Sequence, residues 1–126
     1  MKTSYRLAVP TDASQITDLL AQTWPDENAD YKRVQRVISS GNHNTLLAVL
    51  GSEVVGLLDT FITDAQGKRR LELDLLAVAE QWRGHGIAKE LANQASGQLA
   101  TNLSMLRALV RTDNTPAQRT FRSIGL

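Results

Sequence analysis

The chain switches between two hydrophobic rhythms, one repeating every second residue and one every third or fourth, and the switches mark out its elements. Residues 5–9 read as a short strand. Pro10, Thr11 and Asp12 close it and offer two capping side chains to a following helix. In that helix Ile16, Leu19 and Leu20 share one face. A loop holding Trp24, Pro25 and Asp26 leads to a more polar helix over 30–40, striped by Tyr31, Val34, Val37 and Ile38 and ended by Gly41 and Asn42.

Residues 45–50 and 54–63 read as strands, and the short link Gly51, Ser52, Glu53 predicts that they pair as an antiparallel hairpin. After a turn at 64–67, residues 70–78 alternate, with Glu72 and Asp74 set between Leu71, Leu73 and Leu75. The middle of the chain is therefore a meander. Ile87, Leu91, Ala92, Ala95 and Leu99 predict an amphipathic helix over 86–100, residues 105–110 a further strand, and Asn114, Thr115 and Pro116 the start of a last helix reaching Ser123 or Ile124. The order β-α-α-β-β-β-α-β-α predicts one mixed α/β domain over residues 1–126, without linker, repeat or low-complexity stretch.

Composition narrows the class of function. At 126 residues, 42% hydrophobic and 21% charged, the chain can bury a core of its own as one soluble domain. Fourteen Lys and Arg against thirteen Asp and Glu leave a formal net charge of +1, which argues against nucleic acid as a partner. The absence of cysteine excludes a disulfide scaffold, thiol catalysis and thiolate zinc sites, and a cytoplasmic setting is expected. Residues 1–6 lack the apolar core of a signal peptide, and no apolar run approaches the roughly 18 residues of a membrane span, so no membrane partner is expected. His43, expected in a turn, and His85 have no metal-ligand partner at useful spacing, so both read as structural or solvent-facing and no metal is expected.

The residues that carry chemistry lie between the strand over 70–78 and the helix after it, in the run Gln81-Trp82-Arg83-Gly84-His85-Gly86. A strand-to-helix step of this kind aims unpaired backbone N–H groups and the positive end of a helix dipole at one point, which makes an anion site. Gly84 and Gly86 present no Cβ to keep phosphate oxygens off the backbone, Arg83 adds positive charge, and the Gln81 amide can tie the loop together. Two other phosphate loops fit less well. A Walker A loop needs Gly-x4-Gly-Lys-Ser/Thr, which is absent, and a dinucleotide fingerprint needs a third glycine where Lys89 stands.

Leu76-Ala77-Val78 followed by Gln81-x-x-Gly84-x-Gly86-Ile87-Ala88 resembles the central strand and Gln/Arg-x-x-Gly-x-Gly/Ala loop of the GNAT superfamily of acyl-CoA-dependent N-acyltransferases. Asn114, Ala117, Phe121 and Gly125 are spaced like that family's second block, Asn-x-x-Ala-x-x-x-Tyr-x-x-x-Gly. The resemblance implies a mixed, mostly antiparallel sheet flanked by helices. It also implies that backbone N–H groups from Arg83 through His85 to Ala88 hold the pyrophosphate of coenzyme A, and that Leu76, Ala77 and Val78 pair with the pantetheine amides. Asn114 would bond the pantetheine arm, and Ala117 would leave room for it. The implied activity is transfer of an acetyl group from acetyl-CoA to a primary amine of a small molecule or peptide. The competing readings are a non-catalytic or truncated CoA-binding domain, and a nucleotide site at the glycine loop.

An ammonium must lose a proton before it can attack a thioester. Glu72 occupies the place where several relatives carry a base, and Asp74 would share its strand face in the absence of a bulge. Phe121 departs from the family pattern, since relatives carry there a tyrosine that serves the departing sulfur and phenylalanine has no proton to give. Trp24 stands in the loop that helps build the family's acceptor pocket and is a candidate to line it. Relatives continue past the glycine matched by Gly125 into two more strands. The expectation is thus a domain lacking those strands, with 105–110 an edge open to a second copy of the chain.

Overall fold

The computed structural model describes residues 2–65, 67–99 and 105–108. Strand β1 (Thr3–Leu7) enters helix α1 (Ala13–Thr23) through a 3-10 turn at Pro10–Asp12, and helix α2 (Tyr31–Ser39) follows. Strands β2 (His43–Leu50), β3 (Glu53–Ala65) and β4 (Lys68–Val78) form the meander, helix α3 (Ile87–Leu99) comes next, and β5 (Met105–Ala108) closes the described part. The sheet order is β1-β2-β3-β4-β5, antiparallel except for the parallel pair β4 and β5. β5 thus forms an edge of the described sheet, and Leu109 and Val110 of the expected edge lie outside the described residues.

The turn into α1 is set by polar groups. Asp12 accepts the Val9 N–H at 2.8 Å and a two-pronged contact from the Arg6 guanidinium at 2.7 and 2.9 Å, which satisfies a backbone donor near the helix start and holds β1 to it. α2 begins where the Asp30 carboxylate accepts the Lys32 N–H at 2.9 Å.

Each face of the sheet carries its own core. α3 lays Ile87, Leu91, Ala92 and Ala95 on Leu46, Val55, Leu58, Leu71, Leu73, Leu76 and Val78. On the opposite face Ile16 and Leu19 of α1 pack with Leu47, Val49, Leu57 and Ala77, and Val34 and Ile38 of α2 close over them. Gly56 makes the α3 side possible, since a Cβ there would come within 3.1 Å of Ile87 Cγ2 and 3.3 Å of Leu91 Cδ1.

One expectation about β4 fails. Thr60 pairs with Leu73 and Asp59 with Leu75, so Asp74 is an extra residue bulged out of the ladder. The bulge breaks the alternation Leu71, Leu73, Leu75. Leu71 and Leu73 pack toward α3, Leu75 packs toward α1, and Leu76 returns to the α3 side.

Candidate active site

The loop after β4 is shaped by two left-handed glycines, Gly84 at φ 82° and Gly86 at φ 79°, a region costly for other residues. A Cβ at either position would meet no atom within 4 Å, so the space beside the backbone is open to a ligand. The tie back to the strand comes from Arg83, whose Nε donates to the Val78 carbonyl at 3.1 Å, while Gln81 is exposed. The His85 Nδ1 lies 3.1 Å from the carbonyls of Trp82 and Arg83, and its ring meets Trp82 edge-on at 5.6 Å. The first bond of α3 runs from the Glu90 N–H to the Gly86 carbonyl at 3.0 Å. The N–H groups of Ile87 and Ala88 therefore stand at a helix start, where the helix offers them no carbonyl. Backbone donors, a helix dipole and an open cradle meet at one point, an arrangement suited to an anion. The sequence-predicted residues Leu76, Ala77, Val78, Arg83, Gly84, His85, Gly86, Ile87 and Ala88 thus fall on one continuous path from strand to helix.

On the other face of the sheet a cavity of about 480 Å³ opens between α1, α2 and strands β2 to β4, within the range of small-molecule sites. Trp24, at the end of α1, lines it. Its floor is polar and was not foreseen. The Asp59 carboxylate, 8% exposed, accepts from Thr45 Oγ1 at 3.0 Å and meets His43 Nδ1 at 2.8 Å. His43 is the first residue of β2 and not part of a turn, because its pairing with Phe61 extends the hairpin two residues beyond the apolar run. The Phe61 ring lies against the imidazole at 5.4 Å. Burial pushes the Asp59 carboxyl up from the ordinary carboxylate range, against the pull of His43 and Thr45. Asp74, exposed at the bulge, also lines the cavity, and loss of water raises its pKa against the attraction of His43, with Glu72 adding to the rise.

The two carboxylates proposed from the sequence separate here. Asp74 reaches the cavity; Glu72, 1% exposed, accepts from Thr63 Oγ1 at 3.1 Å and does not line it. The signal for the missed cluster was Asp59 itself, a carboxylate within the apolar run 54–63. Asn114, Ala117, Phe121 and Gly125 lie outside the described residues. Among the described residues no group of His, Asp and Glu is arranged to hold a metal ion, and no helix is long and apolar enough to cross a membrane.

The family model described as the acetyltransferase (GNAT) family matches residues 13–126. The chain belongs to the GNAT family. It is therefore a GNAT-type acetyltransferase. No curated protein matches the chain. Among solved structures it is similar to a transcriptional regulator from Bacillus halodurans C-125, at 22% identity and a TM-score of 0.86, over 99% of this chain and 93% of the other. It is also similar to a ribosomal-protein-alanine N-acetyltransferase from Brucella melitensis biovar Abortus 2308, at 20% identity and TM-score 0.86, over 99% and 92%. A third is an aminoglycoside acetyltransferase from an uncultured soil metagenomic sample, in complex with sisomicin, at 18% identity and TM-score 0.82, over 98% and 88%. At these identities the likeness is one of fold, and the GNAT fold extends along nearly the whole chain.

Proposed function

We propose that the protein transfers an acetyl group from acetyl-CoA to a primary amine of a small molecule or peptide, with the glycine loop as the pyrophosphate site and the cavity as the amine site. The observation that carries this reading is that loop and cavity meet the same strand. β4 reaches the cavity at the Asp74 bulge and runs into the loop just after Val78. Those four steps of extended chain span about 13 Å, a track along which pantetheine would lie against Leu76, Ala77 and Val78 with its thioester toward Asp74.

The charges on the cavity wall fit an acceptor that arrives as a cation. Glu27, Asp30, Asp59 and Asp74 stand there against Arg33 and His43. The Trp24 ring adds a face against which an aliphatic stem or an ammonium can rest. Incubation with acetyl-CoA and a panel of amines, following thiol release, tests the proposal. Release with at least one amine is expected. Tight acetyl-CoA binding without release would point instead to a CoA-binding domain, and a larger thermal shift with ATP than with CoA would overturn the loop assignment.

A further inference from the structure

We infer that His43, held by Asp59, takes the proton the acceptor amine must lose, so that the proton acceptor of this enzyme stands on β2 and not on β4. The inference rests on the amine-site reading of the cavity. Glu72 is enclosed, bonded to Thr63 and absent from the cavity wall, so an amine in the cavity would not meet it. Asp59 has both carboxylate oxygens engaged, one by Thr45 and one by His43. His43 lines the cavity directly. An ionised carboxylate only accepts hydrogen bonds, so with Asp59 ionised the 2.8 Å contact places the imidazole proton on Nδ1 and leaves the lone pair on Nε2. Asp59 thereby fixes the tautomer and stabilises the imidazolium once it forms, while Phe61 holds the ring from one side.

The charged groups sharing the cavity wall with His43 are Asp59 on β3, Asp74 on β4, and Glu27, Asp30 and Arg33 from the loop and α2. Four of these five are acidic, an environment that attracts a cationic acceptor toward His43. Asp74, at the bulge beside the proposed thioester track, would hold the incoming ammonium in place. The step then balances as follows. The ammonium gives one proton to His43 Nε2, the freed nitrogen lone pair forms a bond to the thioester carbonyl carbon, and the carbon–sulfur bond breaks with its electrons on sulfur. A second N–H proton goes to the CoA thiolate, and His43 returns its proton to solvent, so that ammonium and acyl-CoA become amide, free thiol and one released proton.

Steady-state kinetics of the full chain with acetyl-CoA and an amine it acetylates will test this. His43→Gln is expected to lower kcat about 100-fold at neutral pH, with acetyl-CoA affinity within twofold of wild type. The deficit should shrink at high pH, where the amine is already free. His43→Ala should regain rate on addition of imidazole, a recovery that a structural role for His43 would not produce. Asp59→Asn, as a positioning change, should lower kcat by about tenfold in protein shown to be folded by its melting curve. Wild-type rates in His43→Gln, or a loss confined to Glu72→Gln, would overturn the inference while leaving acyl transfer standing. Absence of thiol release by the wild-type protein with every amine would overturn the functional reading, and this inference with it.

Discussion

Replacing Gly56 with alanine tests whether the contact between β3 and the start of α3 governs cofactor binding. The glycine has an ordinary φ, so alanine can adopt its backbone, and the whole effect comes from the added methyl. That methyl would lie 3.1 Å from Ile87 Cγ2, 3.3 Å from Leu91 Cδ1 and 3.4 Å from the Ala77 carbonyl oxygen. Ile87 and Leu91 are both buried, so the neighbours must give by a few tenths of an ångström within a packed core, and the displacement expected is one of α3, which carries both. Overpacking of this kind costs about 1–3 kcal/mol. The smaller conformational freedom of unfolded alanine returns about 0.4–1 kcal/mol, leaving a net loss of about 1–2 kcal/mol. For 126 residues, about 2.1 cal/mol/K of unfolding entropy per residue converts this to a fall of about 4–8 °C in melting temperature.

Because Ile87 opens the helix whose N–H groups are proposed to hold the phosphates, the same displacement should reach the ligand. A 1 Å misplacement of a binding group costs about 100-fold, so a few tenths should weaken acetyl-CoA binding about three- to fivefold. Gly97→Ala supplies the contrast, since Gly97 is exposed within α3 and a Cβ there meets nothing within 4 Å. That change should raise the melting temperature by about 2–4 °C and leave binding alone. Thermal melts with and without acetyl-CoA read both effects. A Gly56→Ala protein that melts no lower than wild type, or binds acetyl-CoA equally well, would refute the reasoning.

Gly84→Val should abolish measurable acetyl-CoA binding in a folded protein, since it puts a branched side chain into the cradle and strains a φ of 82°; retained affinity by calorimetry would remove the loop from the site. The contact with Arg6 holds the Asp12 carboxyl below its ordinary range, helped by the Val9 N–H, so its contribution is present above the unfolded pKa near 3.8 and lost as pH falls through the lower folded value. Asp12→Asn should therefore be destabilised by about 1 kcal/mol at pH 6 and by less at pH 3, which melts at the two pH values will show. Asp59 has the opposite sign: its folded pKa is raised, so the folded state binds the proton more tightly and stability falls as pH climbs from the unfolded value through the folded one. The melting temperature of Asp59→Asn minus that of wild type should accordingly rise between pH 4 and pH 7, and a flat or falling difference would contradict it.

What the sequence disclosed and what it hid follow from the range of each signal. The step from β4 through Gly84 and Gly86 into α3 was legible because strand period, glycine spacing and helix period all act within a few residues of one another. The meander was legible for the same reason, since its hairpins have short links. His43 and Asp59 are sixteen residues apart and share no local pattern. They meet only because the β2–β3 register sets Thr45 opposite Asp59 and His43 opposite Phe61. The bulge at Asp74 was hidden by a regular run of leucines, whose alternation gives no hint that one residue is left out of the ladder. Glu72 was placed on the correct strand, but its enclosure depends on packing from elements remote in sequence.

The bulge also makes β4 sensitive to parity. Deleting Asp74 would restore an unbroken ladder and leave every later side chain on its present face, whereas inserting one residue between Leu75 and Leu76 would turn the rest of the strand over: Leu76 and Val78 would leave α3 for α1, and the small Ala77 and Ala79 would take their places against Ile87 and Leu91. Two cores of different volume would each receive the other's side chains. A two-residue insertion before Leu75 would lengthen the strand yet keep every later side chain on its present face. Odd insertions are therefore forbidden after the bulge where even ones are not, and the lone odd residue the strand does carry, the one it could lose without turning over, is the one that puts a carboxylate on the wall of the cavity.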